Sequence, residues 1–397
     1  MKAVTRPLSE FTDEAPDLND IARGDGHLFV QDGAGFAGRG VAARCGADDS
    51  VALLASIDHD STVDGAEPVA LGGVPFLPGA PGNLVVPEVT VRKARDGRIW
   101  VTAVDDADVD AAITPAADPV PVASAYEIRP AVDVGTYLAA VATARDAVRR
   151  GDLTKAVIAR PIEVAADHPI DVHAVLRRLK ASFGSSYRYS LDGFVGATPE
   201  LLVSLDGPIV RSHPLAGTAP RTGDVENDAR IARRLIASVK NQVEHRVVID
   251  VVHDTLLPWA SYLDWEPEPS IVTVANVQHL GTRMEGMLSQ PGPTVIELVR
   301  ALHPTPAVGG HPRAEALDLI AAVEGFDRER YAGAVGWVDA AGNGEWAVAL
   351  RCAQFSHDGR TARLTAGGGI VADSDPEAEL AETQAKFQAM LSAIVRP

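Results

Sequence analysis

The chain has 397 residues, of which 46% are hydrophobic and 23% charged, and its formal net charge at pH 7 is -18. This length allows one large domain or two to three of average size, and the composition is that of an ordinary globular protein. The acidic excess argues against nucleic acid and anionic membranes as partners, so an anionic substrate has to be attracted by a local cationic pocket.

The first 125 residues predict a β-rich N-terminal region. Short strands at 27–31, 51–57 and 88–92 are separated by Gly, Pro and Asp turns. A G-x-G-x-x-G match at 33–38 follows the first strand, but a dinucleotide site needs a helix there, and residues 41–45 indicate another strand. We interpret the glycines as a hairpin turn. A nicotinamide-dependent dehydrogenase is an alternative that rests on this match alone.

The rest of the chain predicts a mixture of strands and helices. Residues 105–122 are rich in Asp, Ala and Pro and are the candidate linker. Beyond them the pattern predicts helices at 132–150, 172–182, 225–257, 294–302 and 313–322, and strands at 155–159, 187–191, 201–205, 335–339, 345–354 and 362–366. Runs of strands with inserted helices indicate an α+β fold with a largely antiparallel sheet.

The last thirty residues carry the strongest chemical signal. A glycine run at 367–369 precedes a capping-box sequence at 374–377, where a helix is predicted to begin. Along this helix Glu379, Glu382 and Lys386 share one face. Paired carboxylates suit Mg²⁺, and bare backbone N–H groups beside a cation hold carboxylates or phosphates. A solvated charged face is the simpler alternative. The adjacent glycines favour a site for an anion and a metal.

Lysine usage adds a second indication. Only six of the 36 Lys and Arg residues are lysines. Because arginine cannot be deprotonated in a protein, the lysines that remain are candidates for positions that need a titratable amine. Lys155 and Lys386 are the two that lie beside other chemical signals.

Neither a membrane span nor a disulfide framework is predicted. No apolar run reaches the length of a bilayer span, and the N-terminus lacks a basic-then-hydrophobic signal pattern. The two cysteines, Cys45 and Cys352, have no metal-type spacing. We expect a cytoplasmic protein.

Seven segments stand in a fixed order along the chain: L-T-K-A-V-I-A-R (153–160), G-A-T-P-E (196–200), P-L-A-G-T (214–218), K-N-Q-V-E-H (240–245), V-Q-H-L (277–280), Y-A-G-A-V-G-W (331–337) and the stretch from Ala366 to Lys386. Together they resemble the chorismate-utilising enzymes. The resemblance covers residues 130–397 well and the N-terminal third more loosely, through G-V-P-F (73–76).

This resemblance implies a fold and a set of partners. The expected fold is a large, mostly antiparallel β-sheet sandwich flanked by helices. Residues 126–397 would be the chorismate-binding catalytic domain, and residues 1–125 would pack onto the same unit. The substrate would be chorismate, and we expect a monomer that needs no glutaminase subunit.

The resemblance also implies a metal site and a ring pocket. Glu244, Glu379 and Glu382 would bind Mg²⁺, directly or through water. The metal would hold the ring carboxylate of chorismate, with Gly217 and Thr218 beside it. The ring pocket would be lined by Leu215, His279 and Ala307, and a direct catalytic role for His279 is left open.

The second carboxylate of chorismate, on its enolpyruvyl group, would have its own clamp. The resemblance assigns this task to Arg351, Tyr331, Lys386 and the backbone N–H groups of Gly367, Gly368 and Gly369. Arg351 suits the task because its planar fork matches a carboxylate.

The reaction follows from a few family positions. Nitrogen-adding relatives have glutamine at the position of Lys155, whereas water-adding relatives have lysine. Water needs a base, and lysine can serve as one if its pKa is lowered. We expect Lys155 to activate water for attack at C2 and Glu200 to protonate the departing C4 hydroxyl. Ala216 excludes the covalent lysine of the aminodeoxychorismate branch, and the chain has no glutaminase-type cysteine segment.

The segment L-H-P-T-P-A-V-G-G (302–310) resembles isochorismate synthases. Isochorismate is therefore the expected product, and a salicylate synthase, which goes on to lose pyruvate, is the alternative. A non-catalytic relative would be expected to lack Lys155, Glu200 or a metal ligand, and all are present. The pathway stays open among siderophore, salicylate and menaquinone synthesis. The departures from the family pattern are Thr198, Ala219, Asn241 and Gly368, of which Ala219 removes one potential cation.

Overall fold

The computed structural model describes residues 1–114, 125–274 and 277–396. The first range contains short helices and strands in the order β1 (Lys2–Pro7), α1 (Leu18–Ala22), β2 (His27–Gln31), β3 (Ala34–Arg39), β4 (Ala43–Gly46), α2 (Ser50–Ala55), β5 (Asp58–Ser61), β6 (Val69–Val74), β7 (Asn83–Val86), β8 (Val89–Lys93), β9 (Ile99–Val104) and α3 (Val109–Ile113).

The second range continues with β10 (Tyr126–Pro130), α4 (Val134–Arg150), β11 (Lys155–Ala166), α5 (Val172–Ser182), β12 (Tyr187–Leu191), β13 (Phe194–Thr198), β14 (Leu201–Asp206), β15 (Ile209–His213), β16 (Leu215–Pro220), α6 (Val225–Ala237), α7 (Val239–Leu256), β17 (Ala260–Trp265) and β18 (Ser270–Thr273).

The third range contains β19 (Val277–Gly281), β20 (Met284–Leu288), α8 (Val295–Leu302), β21 (Gly310–His311), α9 (Arg313–Val323), β22 (Ala334–Asp339), β23 (Gly344–Val348), β24 (Cys352–Phe355), β25 (Thr361–Ile370) and α10 (Pro376–Val395). Single 3₁₀ turns lie at Leu8–Glu10 and Leu257–Trp259. No helix in the described ranges is both long enough and apolar enough to cross a membrane.

The strands form three sheets. The largest has the order β10-β11-β25-β24-β13-β12-β2-β3-β8-β9-β1-β5, with β21 added to β11, the second is β17-β20-β15-β14-β23-β22-β6-β7-β4, and the third is β16-β19-β18. The pairing of β1 with β5 is parallel, whereas the long β11–β25 ladder and the pairings β2–β12 and β6–β22 are antiparallel. The predicted α+β fold with a mostly antiparallel sheet sandwich and flanking helices is confirmed.

The N-terminal region is built into both large sheets. β2 pairs with β12 in the first sheet, and β6 pairs with β22 in the second. The boundary predicted at residue 125 adjoins residues 115–124, which lie outside the described residues, and the last eight residues of the predicted linker fall among them. The first part of that linker contains α3.

Two hydrophobic cores lie on the two faces of the largest sheet. Because side chains alternate along a strand, Phe29 of β2 packs into the core shared with the second sheet, which also contains Leu71 and Trp346. Its neighbours Leu28 and Val30 pack into the other core, which α5 and α10 cover. Apolar side chains of α10, among them Phe387 and Leu391, pack into this second core and so hold the helix against β25.

Local signals explain the elements that match the prediction. Asp133 caps α4, and Gly151 ends it with φ +84°, the left-handed conformation that glycine adopts without strain. The glycines at 33–38 lie in a β2–β3 hairpin, not at the start of a helix, so the hairpin prediction is confirmed and the dinucleotide alternative is wrong.

Three predicted elements are wrong in type or are divided in two, and the strands predicted at 155–159 and 362–366 are the longer strands β11 and β25. Of the strand predicted at 51–57, residues 51–55 belong instead to helix α2, and Ser56 is the C-cap of that helix. The helix predicted over 225–257 is two helices, α6 and α7, because Ser238 leaves the helical conformation and its side chain accepts the N–H of Asn241. The strand predicted over 345–354 is divided into β23 and β24, and Arg351 between them has φ +49°.

Candidate active site

Strands β11 and β25 of the largest sheet, strands β16 and β19 of the third sheet, and helices α7 and α10 all contribute to one cavity of about 310 Å³. Fifteen of the sixteen predicted site residues line it: Lys155, Glu200, Leu215, Gly217, Thr218, Glu244, His279, Ala307, Tyr331, Arg351, Gly367, Gly369, Glu379, Glu382 and Lys386. Gly368 is the exception. It lies between two lining glycines, and a Cβ placed on it would be 2.8 Å from Oε2 of Glu379.

Lys155 and Glu244 form a buried ion pair at the cavity wall. Lys155 is the first residue of β11, and its Nζ lies 2.8 Å from Oε1 of Glu244 on α7. Their side chains are 4% and 12% exposed. A Cβ on the neighbouring Gly369 would lie 2.7 Å from that same Glu244 oxygen and 2.7 Å from Cε of Lys155. The pair therefore occupies space that any other residue at 369 would fill.

Helix α10 contributes a second lysine–carboxylate pair. Nζ of Lys386 lies 2.7 Å from Oε1 of Glu382, one turn away, and donates a hydrogen bond to the carbonyl of Gly367 at 2.7 Å. Burial acts to raise the pKa of Glu382, but Lys386, Arg351 and Lys155 together lower it below its ordinary value. Glu382 is therefore a carboxylate at neutral pH.

The start of α10 differs in detail from the prediction. Asp375, not Ser374, is the N-cap, and its side chain accepts the N–H of Ala378. The hydroxyl of Ser374 instead donates to Oε1 of Glu379 at 2.8 Å. Arg160 of β11 fastens the next turn, donating to Thr383 and Gln384 at 2.8 and 2.7 Å. These contacts hold the acidic face of α10 over the glycines of β25.

Arg351 is oriented by His279. Its Nη2 donates to Nε2 of His279 at 3.0 Å, so that nitrogen acts as the acceptor and Nδ1 carries the proton towards the carbonyl of Gly217, 3.2 Å away. The Thr218 hydroxyl lies 3.1 Å from the same Nδ1. Burial, followed by Arg351 and Lys386, holds the pKa of His279 well below its ordinary value. A neutral His279 positions the guanidinium, and its geometry gives no support to a proton-transfer role.

Arg351 is available to an anionic ligand. Glu200 and Glu382 are its acidic neighbours, but among the described residues it forms an ion pair with no carboxylate. Lys155 and Lys386, in contrast, each have a carboxylate partner. The net charge of the chain is -18, so an anionic substrate was expected to need a local cation, and the guanidinium of Arg351 can serve as that cation.

Glu200 enters the cavity from the turn after β13 and is 3% exposed. Burial raises the pKa of Glu200 to about 7, although the Leu215 backbone N–H, Arg351 and Lys155 act in the opposite direction. A substantial fraction of Glu200 is therefore protonated near pH 7. Tyr331 completes this side with a neutral hydroxyl, because burial raises its pKa above the ordinary value.

Several lining residues were absent from the predicted set: Val157, Ala216, Asn241, Val308, Leu350, Thr365 and Ala366. Strand alternation could have identified two of them. Val157 lies two residues after Lys155 on β11, and Thr365 two before Gly367 on β25, so each shares a face with a predicted site residue. The others lie inside the quoted motif segments or next to a predicted site residue: Ala216, Asn241, Val308, Leu350 and Ala366.

The three predicted metal ligands are not assembled into a cage. Within the described ranges, no three His, Cys, Asp or Glu side chains are grouped closely enough to hold a metal ion. Glu244 and Glu382 are instead paired with lysines, and Glu379 with the Ser374 hydroxyl.

Comparison with known proteins identifies the class. The family model described as chorismate binding enzyme matches residues 53–395. The chain therefore belongs to the chorismate binding enzymes, as its motifs predicted. The match begins within the N-terminal region and runs across the division predicted near residue 125.

The individual relatives are more specific. A putative isochorismate synthase MenF of Mycobacterium tuberculosis is 42% identical over 344 residues, covering 83% of this chain and 87% of that protein. The isochorismate synthase DhbC of Bacillus subtilis is 40% identical over 280 residues, covering 68% and 70%. A crystal structure of a putative 2,3-dihydroxybenzoate-specific isochorismate synthase, DhbC from Bacillus anthracis, superposes with a TM-score of 0.81 at 32% identity, covering 96% and 98%.

The raised pKa of Glu200 predicts a pH-dependent stability. Because the value of about 7 exceeds the ordinary 4.5, Glu200 contributes stability that is fully present below about pH 4.5 and lost as the pH rises through about 7. The loss should total about 3 kcal/mol. Glu200→Gln should therefore gain stability relative to wild type over this interval, as measured by urea unfolding at several pH values. The exposed Glu268→Gln is the control, and a pH-independent difference for Glu200→Gln would contradict the shift.

Proposed function

We propose that the chain is an isochorismate synthase, an isomerase that adds water at C2 of chorismate and removes the C4 hydroxyl. One observation carries the proposal: Lys155 and Glu200, an amine and a carboxylic acid with a pKa of about 7, are buried in the same cavity. The names of the relatives support the same product. The salicylate-forming alternative gains no support from them.

The substrate's charge fits the distribution of cations. Chorismate is a dicarboxylate, and Arg351 offers a guanidinium that has no carboxylate partner among the described residues. We assign it the enolpyruvyl carboxylate, with Lys386, Tyr331 and the backbone of 367–369 around it. The ring carboxylate would lie towards Gly217 and Thr218, and Leu215 and Ala307 would contact the ring.

The reaction then needs one base and one acid. Lys155, in its uncharged form and released from the ion pair with Glu244, takes a proton from water. The water oxygen bonds to C2, the ring double bonds shift, and the C–O bond at C4 breaks. Glu200 supplies the proton with which the hydroxyl leaves as water. A protonated carboxyl is required because hydroxide is a poor leaving group, and burial of Glu200 supports that state. The atoms balance without oxidation or reduction, so no redox cofactor is needed.

We also propose that Mg²⁺ is required and that Glu244, Glu379 and Glu382 hold it together with the substrate. The donor set fits, because oxygens of Glu379 and Glu382 lie 2.8 and 3.8 Å from a single point, the place that a Cβ on Gly368 would occupy. Two hard carboxylates thus converge over bare backbone. Bound there, the ion would neutralise and orient the ring carboxylate. Because the described residues form no complete cage, we expect weak binding without chorismate.

The metal proposal is tested by removal. EDTA should abolish the conversion of chorismate, and added Mg²⁺ should restore it, since the carboxylates alone repel the ring carboxylate. Glu379→Gln and Glu382→Gln should each raise the Mg²⁺ concentration needed for half-maximal activity, whereas Glu377→Gln, exposed on the same helix, should not. Full turnover in metal-free buffer would rule out this requirement.

The contacts proposed between the enolpyruvyl carboxylate and the side chains of Arg351 and Lys386 are tested by truncating each side chain. Arg351→Ala and Lys386→Ala should each raise the KM for chorismate, because each removes a charge-assisted contact made in both ground and transition states. The loss should be about 1.5–3 kcal/mol per contact. Arg211→Ala, which removes a surface ion pair with Glu285, is the control. An unchanged KM in both site variants would mean that the clamp lies elsewhere.

The acid–base pair is tested by isosteric changes. Lys155→Gln and Glu200→Gln should lower kcat by about 10²–10⁴-fold, because approximate size and polarity remain while proton transfer is lost. Both should still bind chorismate by calorimetry, and the surface changes Lys180→Gln and Glu268→Gln should leave kcat unchanged. Near-normal kcat in either site variant would exclude the assigned role.

The identity of the product distinguishes an isochorismate synthase from a salicylate synthase. Wild type with chorismate and Mg²⁺ should form isochorismate with little pyruvate, as measured by HPLC and a coupled pyruvate assay. Salicylate with stoichiometric pyruvate would instead assign the chain to the salicylate synthases.

A further inference from the structure

A third ion pair, outside the proposed chemistry, lies directly behind the cavity. Glu324 follows α9, and Arg328 lies four residues later, three before Tyr331. Their side chains are 1% and 2% exposed. The pair is bidentate: Nε of Arg328 donates to Oε2 of Glu324 at 2.8 Å, and Nη2 donates to Oε1.

This pair connects two backbone segments that line the cavity. Nη1 of Arg328 donates to the carbonyl of Val308 at 2.9 Å, and Nη2 to the carbonyl of Val157 at 2.6 Å. Oε1 of Glu324 accepts the N–H of Ala159 at 2.7 Å. A direct bond from the Val157 N–H to the Gly309 carbonyl, 2.9 Å, closes the same junction.

The loop at 303–309 is also held at its other end. Nε2 of His303 lies 3.0 Å from the carbonyl of Phe76, and the Phe76 ring lies 4.3 Å from the guanidinium of Arg328. The G-V-P-F segment of the N-terminal region thereby joins the network. One guanidinium touches the N-terminal region, the loop and β11 at once.

Both segments carry site residues. Val157 follows Lys155 by two residues on β11, and Val308 follows Ala307 in the loop; all four line the cavity. A buried ion pair adds little net stability compared with apolar side chains of the same size. What Glu324 and Arg328 supply is fixed geometry. The two planar groups, with three backbone partners between them, permit one arrangement of the two segments.

We propose that Glu324 and Arg328 are positioning residues, which set the distance between Lys155 and the cavity wall formed by Ala307 and Val308. The proposal rests on the proposed function, since this distance matters through the placement of the chorismate ring against the base. Neither residue touches the cavity, so the pair acts through β11 and the loop.

The test separates geometry from folding. Single changes such as Glu324→Gln leave a buried charge without its partner and are prone to unfold. The double variant Glu324→Met/Arg328→Met removes both charges and keeps apolar bulk. It should fold, with a Tm lowered because three buried backbone groups lose their partners. Its kcat should fall by about 10–100-fold, since small misplacements have effects of this size. KM for chorismate should change less than threefold, because Arg351 and Lys386 are untouched.

Two further measurements make the outcome specific. Hydrogen exchange should rise in peptides covering 153–161 and 303–312 of the double variant, where the bonds to the pair are lost. Arg328→Lys, which keeps the charge but not the fork, should give an intermediate kcat. The control is Arg39→Met/Asp25→Met, because Arg39 also contacts both a carboxylate and a backbone carbonyl, those of Asp25 and Ala22, and it should leave kcat unchanged.

The results distinguish the two levels of the proposal. A folded double variant with wild-type kcat, whether or not its hydrogen exchange rises, overturns the positioning role and leaves the proposed function intact. Failure of the wild-type chain to convert chorismate contradicts the proposed function itself. Lower kcat with unchanged KM and faster exchange in both segments supports the positioning role.

Discussion

The site depends on the absence of side chains on one strand. Along β25, Gly368 and Gly369 leave space that the side chains of Glu379, Glu244 and Lys155 enter. A Cβ on Gly368 would lie 2.8 Å from a Glu379 oxygen, and one on Gly369 would lie 2.7 Å from atoms of both Glu244 and Lys155. Lys386 uses the backbone of the same run, through its bond to the Gly367 carbonyl. Acidic and basic groups from β11, α7 and α10 can converge there only because the backbone presents no side chain of its own. A methyl group at 369 would displace the Lys155–Glu244 pair.

Within this space, some charged side chains have a partner of opposite charge and others do not, and this difference supports the proposed chemistry. Two lysines have carboxylate partners, Arg351 has a neutral histidine, and Glu200 is buried with a pKa of about 7. The cavity therefore offers a cation for an incoming anion and a neutral acid for a leaving hydroxyl. Glu200 and Glu382 illustrate the contrast: burial dominates for the first, and neighbouring cations dominate for the second.

The sequence predicted a helix correctly where its bounds depend on local signals such as caps and apolar spacing. Asp133 and Gly151 mark the ends of α4, and the repeated apolar pattern of α5 predicts its bounds. Helix α6 was joined to α7 because apolar residues continue in phase across Ser238, yet Val239 and Val243 are exposed, so their spacing does not reflect burial. The left-handed backbone of Arg351 leaves no mark in a sequence, since non-glycine residues take it only when their surroundings require it. The site residues came from motif resemblance, but their pairing did not: the Arg351–His279 and Lys155–Glu244 contacts join elements that only the sheets bring together.

The central claim is that water, activated at Lys155, supplies the oxygen at C2 while the original C4 hydroxyl departs. Isotope labelling tests it most directly. When the reaction is run briefly in H₂¹⁸O with chorismate and Mg²⁺, the account predicts isochorismate with one ¹⁸O at C2, detected by mass spectrometry. Isochorismate formed without label would show that the hydroxyl migrates within the substrate, and would contradict the assignment of Lys155 and Glu200 as base and acid.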